Sequence, residues 1–520
     1  MFIGGCSLRK KISLVVIALF VTAFILIIYG CSSKKEMASA ELDDTVSFDI
    51  NDASMQKFKE RLGSDDGYAF AVFYGADTHG SLENCGCPHN PMGGLAWRIS
   101  YMKAFKQMSN KEVPMLFVDA GNIFTDDRYQ AGGLPQEALI KNRWVMKGYG
   151  DFLTDAANLC FGDLPYAAEL FKKEGFDERV KELPFIKKLV SANLHPEQDN
   201  LTAPAPYIIR EITLKRGTPG KKLRIGIVGF TQLKEGMNNK LEDSYAGFKI
   251  EDPLVAAKRV LPELKQKADI IVALAYMSQG QTQALATQNP EIDTIIGAQQ
   301  INGTNDPQHF NSATIVYSYN QTKYLGELRY YMKEDGSVAN QVNRHVGLDK
   351  EIPEDPVALA MVNEARDEFT AEQKKNAQQT AISADLLKNA TGDFVGAQAC
   401  AACHVEEYQI WEKTGHAHAM AALERKNQQF DNECVKCHVV GFEKGGFQTL
   451  AKTPQLANVQ CESCHGGGKE HIAKPAKGFG VMKTPTGCVQ CHTVENSPDF
   501  NFTTYWPKIQ HGKASAEKAD

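Results

Sequence analysis

The last quarter of the chain repeats one five-residue motif four times, and no other feature constrains the fold as strongly. In each copy, two cysteines three positions apart are followed directly by a histidine. The copies are Cys400-Ala-Ala-Cys403-His404, Cys434-Val-Lys-Cys437-His438, Cys461-Glu-Ser-Cys464-His465 and Cys488-Val-Gln-Cys491-His492. In c-type haem attachment both thiols bond the porphyrin, which places the adjacent histidine under the iron. The sequence therefore predicts four covalent haem c groups, whose proximal iron ligands are His404, His438, His465 and His492.

The distal iron ligands are predicted by counting the remaining histidines. Beyond residue 391 there are eight histidines, and the four outside the motifs are His416, His418, His471 and His511. Four haems and four spare histidines favour bis-histidine coordination throughout. That suits electron transfer, because a six-coordinate iron leaves no position for a substrate. If one of these histidines is not a ligand, its haem is five-coordinate and can bind a small molecule.

Three further segments accompany the motifs. They are Trp411 with His416-Ala-His418, Val459-Gln460 before Cys461 with His471 after it, and Trp506-Pro-Lys-Ile-Gln-His511. With these segments, residues 394–512 resemble the tetrahaem cytochromes of the cytochrome c-554 type. The resemblance implies a protein that carries electrons rather than one that transforms a substrate. It also implies that one haem can be five-coordinate, as in some members of that family.

The N-terminus has the features of an export signal. Three basic residues, 9–11, precede an apolar run, 12–29, and a small residue precedes Cys31. This pattern predicts a signal peptide over residues 1–30, with Cys31 lipidated as in a bacterial lipoprotein. Because the apolar run is long, an uncleaved membrane anchor is the alternative. Both interpretations predict an exported, membrane-anchored protein on the periplasmic or cell-surface side, with residues 31–66 as a polar tether.

Between residues 67 and 348, short apolar runs alternate with helical patterns. The predicted strands are residues 68–74, 115–118, 223–230, 270–275, 292–296 and 314–319, and the clearest predicted helices are residues 95–108 and 253–267. This alternation favours a layered α/β domain with a largely parallel sheet flanked by helices. Residues 349–392 predict a helical connector. Residues 393–520 predict a small, mostly α-helical or irregular multihaem domain.

The loops after the predicted strands carry motifs in a set order. They are Asp77-Thr-His79-Gly80, Gly93-Gly94-Leu95 and Asp119-Ala-Gly-Asn122. With these motifs the domain resembles the 5'-nucleotidase branch of the calcineurin-like metallophosphoesterases, which implies a two-metal hydrolytic site. Several implied ligands are missing, since Asn122 replaces an aspartate and residues 162–165 lack the catalytic histidine. We expect at most a remnant site for one metal ion, drawn from Asp77, His79, Asp119, Asn122 and Asp163.

Three cysteines remain outside the leader and the haem motifs: Cys85, Cys87 and Cys160. On the resembled fold their loops converge near the metal site. A structural disulfide is one interpretation, because exported cysteines usually pair. A strained and easily reduced Cys85–Cys87 couple that exchanges electrons with the haems is the second. The third is a thiolate and imidazole site for a soft metal such as zinc or copper(I).

The sequence thus leaves three functions open. The first is an electron carrier that serves redox partner proteins. The second is an oxidoreductase with Cys85 and Cys87, or a soft metal, as the reactive site and the haems as its conductor. The third is a metal-dependent phosphoesterase fused to a cytochrome, which the missing ligands disfavour. Nucleic acid is not an expected partner, because the net charge is -6 and basic residues are dispersed.

Overall fold

The computed structural model describes residues 46–84, 91–109, 113–126, 133–152, 154–232, 244–298, 306–318, 323–383, 392–426, 428–450, 452–480, 485–494 and 496–511. The chain divides into two units, residues 1–43 and 44–520. The first unit, with the predicted signal segment and Cys31, lies outside the described residues, as do Cys85 and Cys87. Among the described residues, no helix combines the length and the apolarity needed to span a membrane.

Fifteen strands lie in the described ranges. They are β1 (Phe70–Gly75), β2 (Met115–Asp119), β3 (Thr154–Asn158), β4 (Leu189–Val190), β5 (Leu194–Pro196), β6 (Tyr207–Thr213), β7 (Lys222–Thr231), β8 (Ser244–Tyr245), β9 (Phe248–Ile250), β10 (Ile270–Tyr276), β11 (Thr294–Gly297), β12 (Gln308–Phe310), β13 (Ala313–Tyr317), β14 (Tyr324–Met332) and β15 (Val338–Gly347). The first sheet has the order β15-β14-β1-β2-β3-β4, the second β12-β13-β11-β10-β7-β6, and the third β5-β9-β8. Parallel strands form the centre of both large sheets. Antiparallel strands lie at both edges of the second sheet and at one edge of the first, whose other edge is the parallel strand β4.

The α-helices of the same ranges are α1 (Gln56–Leu62), α2 (Leu95–Met108), α3 (Gln136–Asp151), α4 (Leu164–Leu170), α5 (Phe176–Glu182), α6 (Pro253–Lys267), α7 (Gln279–Gln288), α8 (Pro356–Ser383), α9 (Ala397–Ala401), α10 (Val405–Glu412), α11 (Ala419–Arg425), α12 (Asn432–Val435), α13 (Cys461–His465), α14 (Lys469–Ala473) and α15 (Phe502–Tyr505). The long helices belong to the α/β part of the chain. The helices in the described ranges of the C-terminal part are short.

The two large sheets pack face to face. Every residue of β1 and of β10 is buried, as expected for parallel strands that are covered on both faces. Between the sheets, Asn158 Nδ2 donates to the Phe230 carbonyl at 2.9 Å. Gly229 permits this approach, because a Cβ atom there would lie 2.3 Å from the side-chain oxygen of Asn158.

Helices cover the outer face of each sheet. Phe105 of α2 contacts Phe73 edge to face, with ring centroids 5.0 Å apart, and Tyr149 of α3 contacts Phe117 at 6.2 Å. On the second sheet, α6 and α7 contribute apolar side chains such as Leu261 to the buried core. The result is a four-layer α/β architecture of helices, two sheets and helices.

The predicted fold class is confirmed. Helices α2 and α6 have the predicted bounds, and each predicted strand overlaps an observed one. The predicted layers of sheets flanked by helices are present, and the parallel strands are divided between two sheets. The division follows from β14, which pairs antiparallel with β1 and thereby closes the first sheet to further parallel strands on that side.

Helix α8 lies in the segment predicted as a connector and packs against α2 and α3. Asp355 caps its first turn by accepting from the Ala358 N–H at 2.9 Å. The other oxygen of Asp355 lies 2.7 Å from Nζ of Lys103 in α2, and both side chains are almost fully buried. Farther along, Glu368 accepts from the indole N–H of Trp144 in α3. These contacts fix α8 to the α/β layers.

Residues 392–511 have little hydrophobic core of their own. Their buried apolar cluster contains eight described residues, compared with twenty in the cluster beneath the second sheet. Among the described residues, no helix of this region exceeds eight residues. A core this small cannot stabilise a segment of this length, so further apolar material is needed.

Candidate functional site

The haem motifs adopt helical turns. In the first motif the His404 N–H donates to the Cys400 carbonyl at 3.0 Å, and in the fourth the His492 N–H donates to the Cys488 carbonyl at 2.9 Å. The third motif is helix α13 itself. A helical turn brings positions i, i+3 and i+4 to one side, so both thiols and the histidine face the same space. Attachment to a single porphyrin requires this arrangement.

Six of the eight C-terminal histidines form three pairs of adjacent rings, tilted against each other by 30–60°. The centroid distances are 6.3 Å for His404–His471, 6.1 Å for His416–His492 and 5.8 Å for His465–His511. Two imidazoles bonded to one metal ion at about 2.0 Å each have centroids about 6 Å apart. Each pair joins one motif histidine to one histidine predicted as distal, at the spacing of a bis-histidine iron site.

The second ring nitrogen of three motif histidines has an acceptor. The contacts are His438 Nδ1 with the Ala419 carbonyl at 2.7 Å, His465 Nδ1 with the Gly480 carbonyl at 2.6 Å and His492 Nδ1 with Ser497 Oγ at 3.0 Å. Donation from Nδ1 fixes the ring and leaves Nε2 free to bind a metal. The paired histidine rings and the hydrogen-bond partners at Nδ1 therefore fit the binding of haem c.

His438 and His418 belong to none of the three pairs. Both line one cavity, but no contact between their rings is found, and His418 is exposed. The structure therefore does not bring His418 opposite His438, and its role as a distal ligand stays a prediction.

The four motifs lie close to one another. The Cys461 thiol contacts Cys400 and raises its pKa, and Cys437 acts in the same way on Cys491. Cys464 lies near the fourth motif, where it interacts with Cys491. The first motif is thus beside the third, the third beside the fourth, and the fourth beside the second. Groups attached in this order form a continuous series.

One residue that ties the motifs together was not identified from the sequence. Glu462, inside the third motif, accepts from the backbone N–H groups of Val395, Gly396 and Gly468 at 2.7–2.9 Å. It is almost fully buried. Its carboxylate holds the segment before the first motif against the third. The only sequence signal was an acidic residue between two haem-binding cysteines.

A cavity of about 1410 Å³ separates the haem motifs from the α/β layers. Cys437 and Cys491 line it on one side, and Asn84, Lys141 and Trp144 line it on the other. Six large apolar side chains of the C-terminal region are exposed to solvent. They are Val405, Ile410, Ile472, Phe479, Val489 and Val494.

At the carboxyl end of β1, the predicted metal ligand Asp77 has two hydrogen-bond donors on one oxygen. Its Oδ1 accepts from Asn122 Nδ2 at 2.9 Å and from the Tyr276 hydroxyl at 3.0 Å. Burial raises the pKa of Asp77. Tyr276 was not identified from the sequence, where its only signal was an aromatic residue at the end of a buried strand.

Asp163 is held by the backbone. Its carboxylate accepts from the N–H groups of Asn122, Phe124 and Cys160 at 2.8–2.9 Å. Burial raises the pKa of Asp163 to about 6, and the hydrogen bonds oppose the rise. Both oxygens thus fix the loops after β2 and β3.

Asp119 is fully buried at the end of β2. It accepts from the Gly121 N–H at 2.9 Å and from the Tyr149 hydroxyl at 2.8 Å. Burial raises its pKa to about 7. Like Asp163, it has protein donors on both oxygens.

His79 and Cys160 differ in exposure. The side chain of His79 is 45% exposed, and its Nε2 lies 3.6 Å from Asp126 Oδ1. Cys160 is fully buried, with its Sγ 3.9 Å from Asn122 Oδ1, and burial raises its pKa. In the part of the chain that the structure describes, no group of three or more His, Cys, Asp and Glu side chains could hold a metal ion. The roles predicted for Cys85 and Cys87 fall outside the described residues.

Three residues of this pocket have left-handed backbone. The φ angles are 57° at Asp77, 46° at His79 and 61° at Asn122. Aspartate, asparagine and histidine tolerate this conformation best among residues with a side chain. Each such residue still costs about 1–3 kcal/mol, so the loops hold a strained shape.

Comparison with known proteins finds relatives of the C-terminal region. Residues 399–466 match the family model of cytochrome c554 and c-prime. The chain is also 38% identical over 130 residues to cytochrome c-554 of Nitrosomonas europaea, a match that covers 22% of this chain and 55% of that protein. The chain therefore spans about half the length of this curated relative. The predicted resemblance of the C-terminal region is confirmed.

Solved structures resemble the α/β part. The sulfate thiohydrolase SoxB of Thermus thermophilus is 13% identical with a TM-score of 0.45, covering 57% of this chain and 60% of that one. The calcineurin-like phosphoesterase YfkN of Bacillus subtilis is 19% identical with a TM-score of 0.46, covering 58% and 98%. A 5'-nucleotidase precursor of Thermus thermophilus is 20% identical with a TM-score of 0.42, covering 58% and 59%.

Proposed function

We propose that this protein is an electron carrier with four covalently bound haem c groups. The observation that carries the proposal is the set of three adjacent histidine pairs, each with a motif histidine and centroids 5.8–6.3 Å apart. When bound, haem c supplies one-electron chemistry. The chain's own histidines hold and orient it, and two imidazoles on one iron exclude a substrate.

The haem content of the purified holoprotein tests this proposal. Intact mass and a haem assay are expected to give four covalent haems per chain, and Cys434→Ser with Cys437→Ser is expected to give three. A value of two or none contradicts the proposal.

We propose in addition that the His438 iron is five-coordinate, because His438 has no paired imidazole among the described residues. The reduced holoprotein is then expected to bind one carbon monoxide per chain. Stoichiometric titration checks this, and a chain that binds none has a sixth ligand at every iron.

An electron carrier also requires a cellular location and redox partner proteins. We propose an exported protein anchored through lipidated Cys31 or an uncleaved N-terminal segment, with redox proteins as electron donor and acceptor. Cys31→Ser is expected to release the protein from membranes if the anchor is the lipid. Retention of the variant in the membrane fraction favours the uncleaved segment.

A second function, a thiol-based oxidoreductase, is favoured by one observation. Glu83 and Asn84 line the cavity that contains Cys437 and His438, and Cys85 is the next residue of the chain. Thiol labelling at controlled potential tests it. If Cys85 and Cys87 stay oxidised whenever the haems are reduced, the two sites are not coupled.

Phosphate-ester hydrolysis has less support. Asp77, Asp119 and Asp163 all accept hydrogen bonds from protein donors. Few of their carboxylate oxygens are therefore available to bind two metal ions. Metal analysis with a general phosphatase assay tests it, and we expect an inactive protein. Turnover that depends on a divalent metal would support the hydrolase.

A further inference from the structure

The second haem motif meets the α/β layers through an ion pair. Asp431 caps α12, the helix that carries Cys434, by accepting from the Glu433 N–H at 2.9 Å. Its other oxygen lies 3.9 Å from Nζ of Lys141 in α3. A cation of the α/β layers is therefore placed beside the cap of a haem-binding helix.

Lys141 is held in position by a second contact. Its Nζ lies 4.5 Å from the ring centroid of Phe369 in α8, a cation–π arrangement. The side chains of Lys141 and Asp431 are only 25% and 19% exposed. Charges that are partly buried are screened less by solvent and salt than surface charges.

The same two elements line the space next to the motif. Lys141, Trp144 and Phe369 line the cavity on the side opposite Cys434 and His438.

We infer that α3 and α8 form one wall of the pocket for the haem attached at Cys434 and Cys437, and that Lys141 sets the reduction potential of this haem alone. The inference rests on the proposed function, because it requires a haem at the second motif. It assigns to the α/β layers a role that needs no hydrolysis: they tune one haem of the series.

The direction of the effect follows from electrostatics. A cation near the iron disfavours the ferric state, which carries one more positive charge than the ferrous state, so it raises the potential. Lys141→Met removes that cation and leaves Asp431 unpaired, which lowers the potential. Asp431→Asn removes the anion and raises it. The two substitutions are therefore expected to act in opposite directions.

Spectroscopic redox titration of the full-length holoprotein tests the inference. Lys141→Met is expected to shift about one quarter of the haem absorbance to lower potential, by a threefold or larger change in the oxidation equilibrium, or about 28 mV at 59 mV per tenfold. Asp431→Asn is expected to shift the same fraction upward. Lys222→Met is the matched control, because Lys222 pairs with Glu211 at 2.7 Å on the far edge of the second sheet.

The outcomes separate this inference from the proposed function. Opposite shifts confined to one haem, with no shift in the control, support it. Unchanged potentials in both variants overturn it, and so does an equal shift of all four haems. The haem count is measured on the same samples. Four haems with unchanged potentials would therefore reject the role of Lys141 but remain consistent with the proposed electron carrier.

Discussion

At Asp77, two side-chain donors share one oxygen of the carboxylate, Oδ1. Asn122 stands where the resembled family has an aspartate, so an amide N–H replaces an anionic ligand. Tyr276 adds a second donor from the other sheet. The residues around Asp77 thus supply two hydrogen-bond donors to one of its oxygens.

Tyr276→Phe is expected to destabilise the protein by about 1–3 kcal/mol, because Asp77 would keep one donor in a buried site. The free energy of unfolding, followed by circular dichroism, measures the loss. Tyr207→Phe is the control, since its hydroxyl donates to the exposed Glu263, and we expect a change within about 0.5 kcal/mol. Equal losses in the two variants would contradict this account of Asp77.

The raised pKa of Asp119 predicts that the stability of the protein depends on pH. Its pKa is about 7 in the folded protein, well above the value of an unfolded aspartate, so between these values the folded state holds a proton that the unfolded state has released. Stability therefore falls as pH rises from about 4 to about 7. Asp119→Asn abolishes this contribution, so the free-energy difference between wild type and variant is expected to change by about 1.4 kcal/mol per pH unit there.

Unfolding at several pH values checks this expectation. Asp269→Asn is the control, because its hydrogen bond with Arg224 lowers the pKa of Asp269 and moves its titration below the interval. If the free energy of unfolding varies with pH in the same way in wild type and Asp119→Asn, Asp119 is ionised in the folded protein over this whole pH interval.

Sequence reasoning located some of these residues but not their partners. The resemblance to the metallophosphoesterases implied that Asp77, Asn122 and Cys160 share one pocket, and Asn122 contacts both of the others. It did not find Tyr276, since this residue comes from the second sheet and the way the sheets face each other is not written in any local pattern.

At the scale of elements, α2 and α6 were predicted with their observed bounds because their apolar spacing is clear. Strand β3 was missed. Its sequence, Thr-Asp-Ala-Ala-Asn, reads as a polar loop, yet every residue is buried. Asp155 is paired with Arg210, and Asn158 donates to two carbonyls, so tertiary partners rather than hydrophobicity keep this strand in the sheet.

The buried ion pair between Lys103 and Asp355 joins α8 to α2. Lys103→Met is expected to cost about 3–5 kcal/mol, because it leaves a carboxylate buried without its cation. The free energy of unfolding measures the loss. Lys57→Met is the matched control, since Lys57 is 76% exposed and its pair with Glu351 is worth about 0–1 kcal/mol. A loss below about 1 kcal/mol in Lys103→Met would mean that water reaches Asp355.

At the scale of the whole molecule, the α/β layers and the C-terminal region differ in what stabilises them. The layers have a large apolar core of their own, whereas the C-terminal cluster is small and six large apolar side chains of that region are exposed. Counting histidines from the sequence predicted a haem-filled region. It could not assign His416 to His492, because those residues are distant in the chain and only the fold brings them together.

A chain in which all eight motif cysteines are serine is expected to fold in part. Without haem the C-terminal region lacks enough apolar contact to stay ordered, while the α/β layers keep their core. Limited proteolysis with mass spectrometry is expected to remove residues 392–511 and spare the layers. The holoprotein is the control, and equal resistance of the two chains would show that this region folds without haem.

The left-handed loops bear on protein engineering. At Asp77, His79 and Asn122 the backbone already has the conformation that short polar residues tolerate, so Asn122→Asp asks for no new main-chain shape. With Tyr276 changed to histidine as well, a carboxylate and an imidazole would replace the two donors around Asp77. The backbone conformation that a metal centre would need here is thus already present, and only side chains would have to be changed.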